Sequence, residues 1–170
     1  MKMILVPHEP TAVHLAELEQ RFQEHHVRGA RLSRPQEAGA AAILLVDRVG
    51  VLAELYGAGQ IAFVGGSFGP GVHSVLEAAA HGVPVLFGPR MNNSPEALEM
   101  KAAGLGRVVT DAATCEGELL ALLQDRAACA QVGRQCRAFV AAKAGAAGRI
   151  VEVLAAACDS NLRFKSQAGS

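Results

Sequence analysis

Short runs of uninterrupted apolar residues recur along this chain, separated by stretches in which apolar residues repeat at helical spacing. Strands that are apolar at every position are typical of a parallel sheet with helices packed on both faces. The alternation predicts an α/β fold: a Rossmann-like, doubly wound parallel sheet of about six strands, with a helical C-terminal segment from about residue 114 to residue 157. The predicted strands are residues 3–6, 27–32, 43–46, 61–64, 83–87 and 107–110.

Local signals bound the predicted helices. Apolar residues at helical spacing predict the best-defined helix over residues 72–80, and Gly82 stands where a left-handed C-terminal cap belongs. Ser94 followed by Pro95 predicts the start of another helix, because serine caps the first turn and proline fits its first position. We expect residues 1–157 to form one binding domain and residues 158–170 a polar, disordered tail.

Charge and cysteine spacing exclude several classes of function. With 16 basic and 16 acidic residues the formal net charge is zero, which argues against nucleic-acid binding through a broad basic surface. No apolar run approaches the roughly 20 residues of a membrane span. The cysteines lack the spacing of a zinc site, so no metal is expected, and we predict a cytoplasmic chain with reduced thiols. They are Cys115, Cys129, Cys136 and Cys158.

A glycine-rich turn between the fourth predicted strand and the next helix carries the sharpest functional signal. This glycine turn, residues 65–71, contains Gly65, Gly66, Ser67, Gly69 and Gly71. Glycines let main-chain amides approach an anion, and a helix start adds unpaired N–H groups, so a phosphate site is predicted. The spacing matches neither a dinucleotide-binding fingerprint nor a P-loop. The structural alternative is a tight strand-to-helix turn.

Side chains beside the glycine turn complete the predicted site. His73 and Glu77 are four residues apart and are expected on one helix face, next to Ser74. A carboxylate in the first turn, behind a phosphate site, suits the hydroxyl groups of a ribose. The alternative is an exposed His–Glu pair worth a few tenths of a kcal/mol.

The turns at residues 7–11, 47–51 and 88–95 also follow predicted strands and are expected at the same sheet edge, where ligands of parallel sheets bind, and two of them carry candidate residues. The first contains Pro7, His8 and Glu9. The second, residues 88–94, is called here the proline loop; its Arg90 could offset a phosphate or carboxylate charge, and Asn92 or Asn93 could bond to a sugar. Each turn could equally be a solvated surface loop.

Together these stretches make the chain resemble the C-terminal half of 3-deoxy-D-manno-octulosonic acid (Kdo) transferases, glycosyltransferases of the two-lobed GT-B type. The similarity extends over roughly residues 3–125. Two departures stand out: His8 where many members have arginine, and Ser74 where many have asparagine. The matching stretches are VPHE at 6–9, LAELY at 52–56, IAFVGGS at 61–67, GVH at 71–73, LEAA at 76–79 and GVPVLFGP at 82–89.

The resemblance implies a nucleotide-sugar-binding domain that uses CMP-Kdo, with no cofactor or metal. An N-terminal lobe, expected to lie outside this chain, would supply the catalytic base and the lipid A precursor site, so no catalytic residue is expected here. The full enzyme would work in lipopolysaccharide synthesis at the cytoplasmic face of the bacterial inner membrane. The residues implied to bind the nucleotide sugar are Pro7, His8, Glu9, Gly65, Gly66, Ser67, Gly69, Gly71, His73, Ser74, Glu77, Pro89, Arg90 and Asn92.

Two alternatives remain open at this point. One is a domain of the same architecture that uses a UDP- or GDP-sugar, although a diphosphate calls for more hydrogen-bond donors than the turns offer. The other is a non-catalytic nucleotide-binding module.

Overall fold

A computed structural model describes residues 2–145, which fall into two compact units that meet in the sequence between Ala62 and Phe63. The strands are β1 (Met3–Leu5), β2 (Gly29–Arg31), β3 (Ile43–Leu45), β4 (Ala62–Val64), β5 (Val85–Phe87) and β6 (Gly106–Val108). The helices are α1 (Ala12–Glu24), α2 (Leu52–Tyr56), α3 (Leu76–Ala80), α4 (Pro95–Ala102), α5 (Ala112–Gln124) and α6 (Arg126–Ala144), with a 3-10 helix at Pro35–Ala40.

The first unit contains a three-stranded parallel sheet in the order β1-β3-β2. Residues of the central strand β3 are largely buried, and β1 and β2 lie at the two edges of this sheet. Helix α1 begins after Thr11 because the threonine hydroxyl accepts a hydrogen bond from the amide of His14 at 3.2 Å. Its Leu15 is buried, and so is Leu45 of β3.

The second unit contains the sheet β4-β5-β6, in which β5 pairs in parallel with β6. All three residues of β5 are fully buried, as is Met100 of α4. Helix α6 lies directly against the turn that ends α3, where a Cβ atom on Gly133 would collide with the carbonyl oxygen of Gly82. None of the helices in the described part of the chain combines the length and apolar character that crossing a bilayer requires.

The predicted fold class is confirmed: residues 2–145 form an α/β structure with six strands and a C-terminal part that is helical as far as Ala144. The six strands are hydrogen-bonded as two groups of three. Gly82 has a positive φ of 74°, and Ser94 caps α4 by accepting from the amide of Ala97, both as predicted. The predicted tail lies outside the described residues.

The helix predicted over residues 72–80 is shorter than expected, because α3 begins only at Leu76. Residues 71–74 are irregular. The amide of Val72 donates to the carbonyl oxygen of Arg90 at 3.1 Å, and the amide of His73 donates to that of Gly65 at 3.2 Å. The side-chain amide of Asn93 also donates to the carbonyl oxygen of Val72 at 2.9 Å, and this oxygen is an acceptor that a first helical turn would have used.

Candidate functional site

Main-chain hydrogen bonds close the glycine turn on itself. The amides of Gly69 and Gly71 both donate to the carbonyl oxygen of Gly66, at 2.8 and 3.3 Å. Gly66 has a φ of 87°, and a Cβ atom there would collide with the carbonyl oxygen of Gly71. The prediction of a cradle of unpaired amides is therefore wrong for Gly69, Gly71, Val72 and His73, whose N–H groups all have carbonyl partners. Gly66 and Gly71 serve the close packing of the turn, whereas nothing lies within 4 Å of a Cβ position on Gly65.

Ser67 links the glycine turn to the proline loop. Its hydroxyl oxygen accepts a hydrogen bond from the amide of Gly88 at 2.6 Å, and its carbonyl oxygen accepts one from the amide of Arg90 at 3.0 Å. The side chain of Ser67 is fully buried. The prediction that Ser67 binds the nucleotide sugar is not supported for this hydroxyl, because it is buried and accepts from the amide of Gly88. Phe68 lies against Gly88, whose Cβ position would be 2.7 Å from the ring.

Asn93 makes a second link between the two segments. Its side-chain oxygen Oδ1 accepts from the amide of Val72 at 3.1 Å, and its Nδ2 donates to the carbonyl oxygen of Val72 at 2.9 Å. The side-chain amide is thus committed to protein, so the prediction that Asn93 could bond to a sugar is not supported. Asn92 is exposed.

Arg90 places a permanent positive charge at the glycine turn. Its Nη1 donates to the carbonyl oxygen of Gly69 at 3.0 Å, and the residue is exposed. A guanidinium carries five N–H donors. Among residues 2–145, no other hydrogen bond or ion pair of this guanidinium is recorded, which leaves the other donors to solvent or an anion. Pro89, the preceding residue, is exposed.

His73 and Glu77 do not share a helix face, contrary to the prediction, because His73 precedes α3. The His73 ring lies over the glycine turn, where Nε2 would be 3.0 Å from a Cβ atom on Gly66. Glu77 lies in the first turn of α3 and is exposed, as is Ser74. Within residues 2–145, the Glu77 carboxylate has no recorded hydrogen bond or ion pair.

The turn with Pro7, His8 and Glu9 follows β1 and belongs to the first unit. His14 on α1 fixes it, because its Nδ1 lies 3.0 Å from the carbonyl oxygen of Glu9 and must donate to that acceptor. The structure thus brings residues 65–77 together with the proline loop, and Pro7, His8 and Glu9 belong to the other unit.

Sequence reasoning missed a polar contact at the ends of β2 and β3. The amide and hydroxyl of Ser33 both donate to the carboxylate of Asp47, and these hydrogen bonds hold the pKa of Asp47 below its usual range. The only available signal was the position of residue 47 directly after an apolar strand. In the part of the chain that the structure describes, no three His, Cys, Asp or Glu side chains are grouped to hold a metal ion.

Comparison with known proteins yields several curated relatives. The 3-deoxy-D-manno-octulosonic acid transferase of Haemophilus influenzae is 30% identical over 156 residues, which are 89% of this chain and 36% of that protein. The Bordetella pertussis transferase is 37% identical over 114 residues, 66% of this chain and 27% of that protein. That of Aquifex aeolicus is 47% identical over 66 residues, 36% and 19% of the respective lengths. The chain therefore spans little more than a third of these relatives at most. No protein-family model matches the chain.

A solved structure matches the fold. It is the C-terminal CMP-Kdo binding domain of WaaA from Acinetobacter baumannii, with a TM-score of 0.72 and 27% identity over 81% of this chain and 72% of that one. Fold and site together define the chain as the Rossmann-like C-terminal lobe of a GT-B glycosyltransferase. In sequence and in fold it corresponds to the C-terminal domain of the Kdo transferases.

Proposed function

We propose that the chain binds CMP-Kdo and is the nucleotide-sugar-binding part of a transferase that adds Kdo to a lipid A precursor in lipopolysaccharide synthesis. The observation that carries the proposal is the guanidinium of Arg90, held on the carbonyl oxygen of Gly69 at 3.0 Å and otherwise exposed. The match to a CMP-Kdo binding domain supports the choice of ligand.

The charges around the glycine turn and the proline loop suit a ligand with few negative groups. Since four amides of residues 69–73 already have partners, the attraction for an anion comes mainly from side chains. Arg90 supplies one full positive charge, and the His73 ring lies beside the same turn. CMP-Kdo carries one phosphate and one carboxylate, so its phosphate needs fewer hydrogen-bond donors than the diphosphate of a UDP- or GDP-sugar.

Two further residues, Glu77 and Asn92, are proposed to contact the ribose and the sugar of the ligand. Glu77 is exposed at the start of α3, and its carboxylate can accept hydrogen bonds from ribose hydroxyl groups. Asn92 is exposed in the proline loop and is proposed to bond to the sugar. The prediction that Pro7, His8 and Glu9 bind the nucleotide sugar concerns the first unit and is a separate proposal, which the variant His8→Ala tests by titration.

Transfer itself is proposed to require groups beyond the nucleotide-sugar site described above. An acceptor hydroxyl must lose a proton to a base, and the leaving CMP must be stabilised. We assign the base and the lipid A precursor site to an N-terminal lobe, and the positive charge facing CMP to Arg90. The proposed setting is the cytoplasmic face of the inner membrane, and the proposed mechanism uses no metal or cofactor.

Calorimetric titration with CMP, UMP and ADP tests this proposal. We expect CMP to bind weakly, UMP more weakly, and ADP less tightly than either. Cytidine, which lacks the phosphate, should bind much more weakly than CMP because it cannot use Arg90. Tighter binding of ADP than of CMP, or equal binding of cytidine and CMP, would overturn the proposal.

A further inference from the structure

We propose that Asn93 is a positioning residue for nucleotide binding: it holds the main chain at Val72 so that His73 and Arg90 keep their places around the glycine turn. This inference rests on the proposed function, because it assigns a role within the same site. Asn93 itself would not touch the ligand, since its side-chain amide is bonded to Val72 at both ends.

Only one orientation of the Asn93 side chain makes both hydrogen bonds. Its Oδ1 must face the N–H of Val72 and its Nδ2 must face the carbonyl oxygen. The side chain therefore pairs with Val72 as a neighbouring strand would. Gly71 completes the fit, because a Cβ atom there would lie 2.5 Å from the Asn93 side-chain amide.

The two hydrogen bonds between Asn93 and Val72, called here the clamp, affect the main chain next to both Arg90 and His73. The amide of Val72 also donates to the carbonyl oxygen of Arg90, so Val72 is tied to two residues of the proline loop. The next residue, His73, is fixed by its amide on the carbonyl oxygen of Gly65. Without the Asn93 side chain, the carbonyl oxygen of Val72 loses its hydrogen bond, and the main chain at His73 can then move.

The first test compares Asn93→Ala with its neighbour Ser94→Ala. Ser94 caps α4 through the amide of Ala97 and has no bond to the glycine turn, so its loss lowers stability without touching the clamp. We expect both variants to lower the melting temperature, and only Asn93→Ala to weaken CMP binding, by about fivefold to tenfold. Asn93→Asp keeps the acceptor for the Val72 amide and loses the donor, so it should also bind CMP more weakly.

A double-mutant cycle with His73→Ala then separates positioning from general damage. If Asn93 acts through His73, the effect of Asn93→Ala on CMP affinity shrinks in the His73→Ala background. An undiminished effect both in the His73→Ala background and in an Arg90→Ala background, or unchanged affinity in Asn93→Ala, overturns this inference alone. Absence of CMP binding by the parent chain overturns the proposed function, and this inference with it.

Discussion

The guanidinium of Arg90 reaches from the loop after β5 to the turn after β4, where its Nη1 donates to the carbonyl oxygen of Gly69 at 3.0 Å. The same residue donates its amide to the carbonyl oxygen of Ser67 and accepts from the amide of Val72. Arg90 is therefore held at three points against one turn. A permanent charge fixed in this way can meet an anion with little reorganisation.

Arg90→Ala should weaken CMP binding by about tenfold, because hydrogen bonds to a charged group are stronger than neutral ones. The CMP affinity of Arg90→Lys should lie between those of the parent chain and of Arg90→Ala, since lysine keeps the charge and loses the planar arrangement of donors. Calorimetry at two salt concentrations measures the effect. Arg137→Ala is the matched control: Arg137 also donates to a main-chain carbonyl oxygen, that of His81 at 3.0 Å, but from α6. Equal losses in the Ala variants of Arg90 and Arg137 would contradict the assignment.

Glu77→Ala should lower the affinity for CMP several-fold and leave the unfolding free energy within about 0.5 kcal/mol of the parent. The reason is that Glu77 is exposed and has no recorded partner within residues 2–145. The affinity for 2′,3′-dideoxycytidine monophosphate, which lacks both ribose hydroxyl groups, should be unaffected. Glu116→Ala on the exposed part of α5 serves as the control. Unchanged CMP affinity in Glu77→Ala would remove this residue from the site.

Gly133→Ala should destabilise the chain by about 1–3 kcal/mol, because the new Cβ atom would overlap the carbonyl oxygen of Gly82 where two main chains meet. Gly117→Ala in α5 offers the opposite case, since nothing lies within 4 Å of its Cβ position. That variant should gain up to about 1 kcal/mol from helix propensity. Urea unfolding measures both. A neutral Gly133→Ala would mean that α6 can shift away from α3 at no cost.

The features that sequence predicted well have causes within a few residues. Ser94 and Gly82 act on main-chain groups three positions away, so their effects can be inferred from local spacing. The start of α3 could not be inferred in this way. Val72 is held by Arg90 and Asn93, which lie 18 and 21 positions further along the chain.

The same distinction explains the errors at the site. Ser67 belongs to the turn predicted to bind phosphate, yet its hydroxyl accepts from the amide of Gly88, which lies 21 positions away. Asn92 and Asn93 are adjacent, chemically identical and both exposed, so only tertiary structure shows which of them is bonded to Val72.

Acid should destabilise the chain partly through Asp111, the N-cap of α5. Hydrogen bonds from Thr114, chiefly from its amide and to a lesser extent from its hydroxyl, hold the pKa of Asp111 below its usual range. Because the folded-state pKa is lowered, the stabilisation is present above the ordinary carboxyl pKa and is lost as pH falls through the lowered value. Asp111→Asn keeps a capping oxygen that does not titrate, so its urea midpoint should fall less between pH 5 and about pH 2.5. An identical fall in both proteins would contradict this contribution.

The most direct measurement is an NMR titration of the isotope-labelled chain with CMP, in which each main-chain amide is followed separately. The account predicts that the largest shift changes cluster at residues 65–77 and in the proline loop, with smaller changes at α6. It also predicts that Arg90→Ala reduces the changes at both segments together. Saturable CMP binding whose shift changes avoid residues 65–77 and 88–94, or no binding at millimolar CMP, would contradict the central claim.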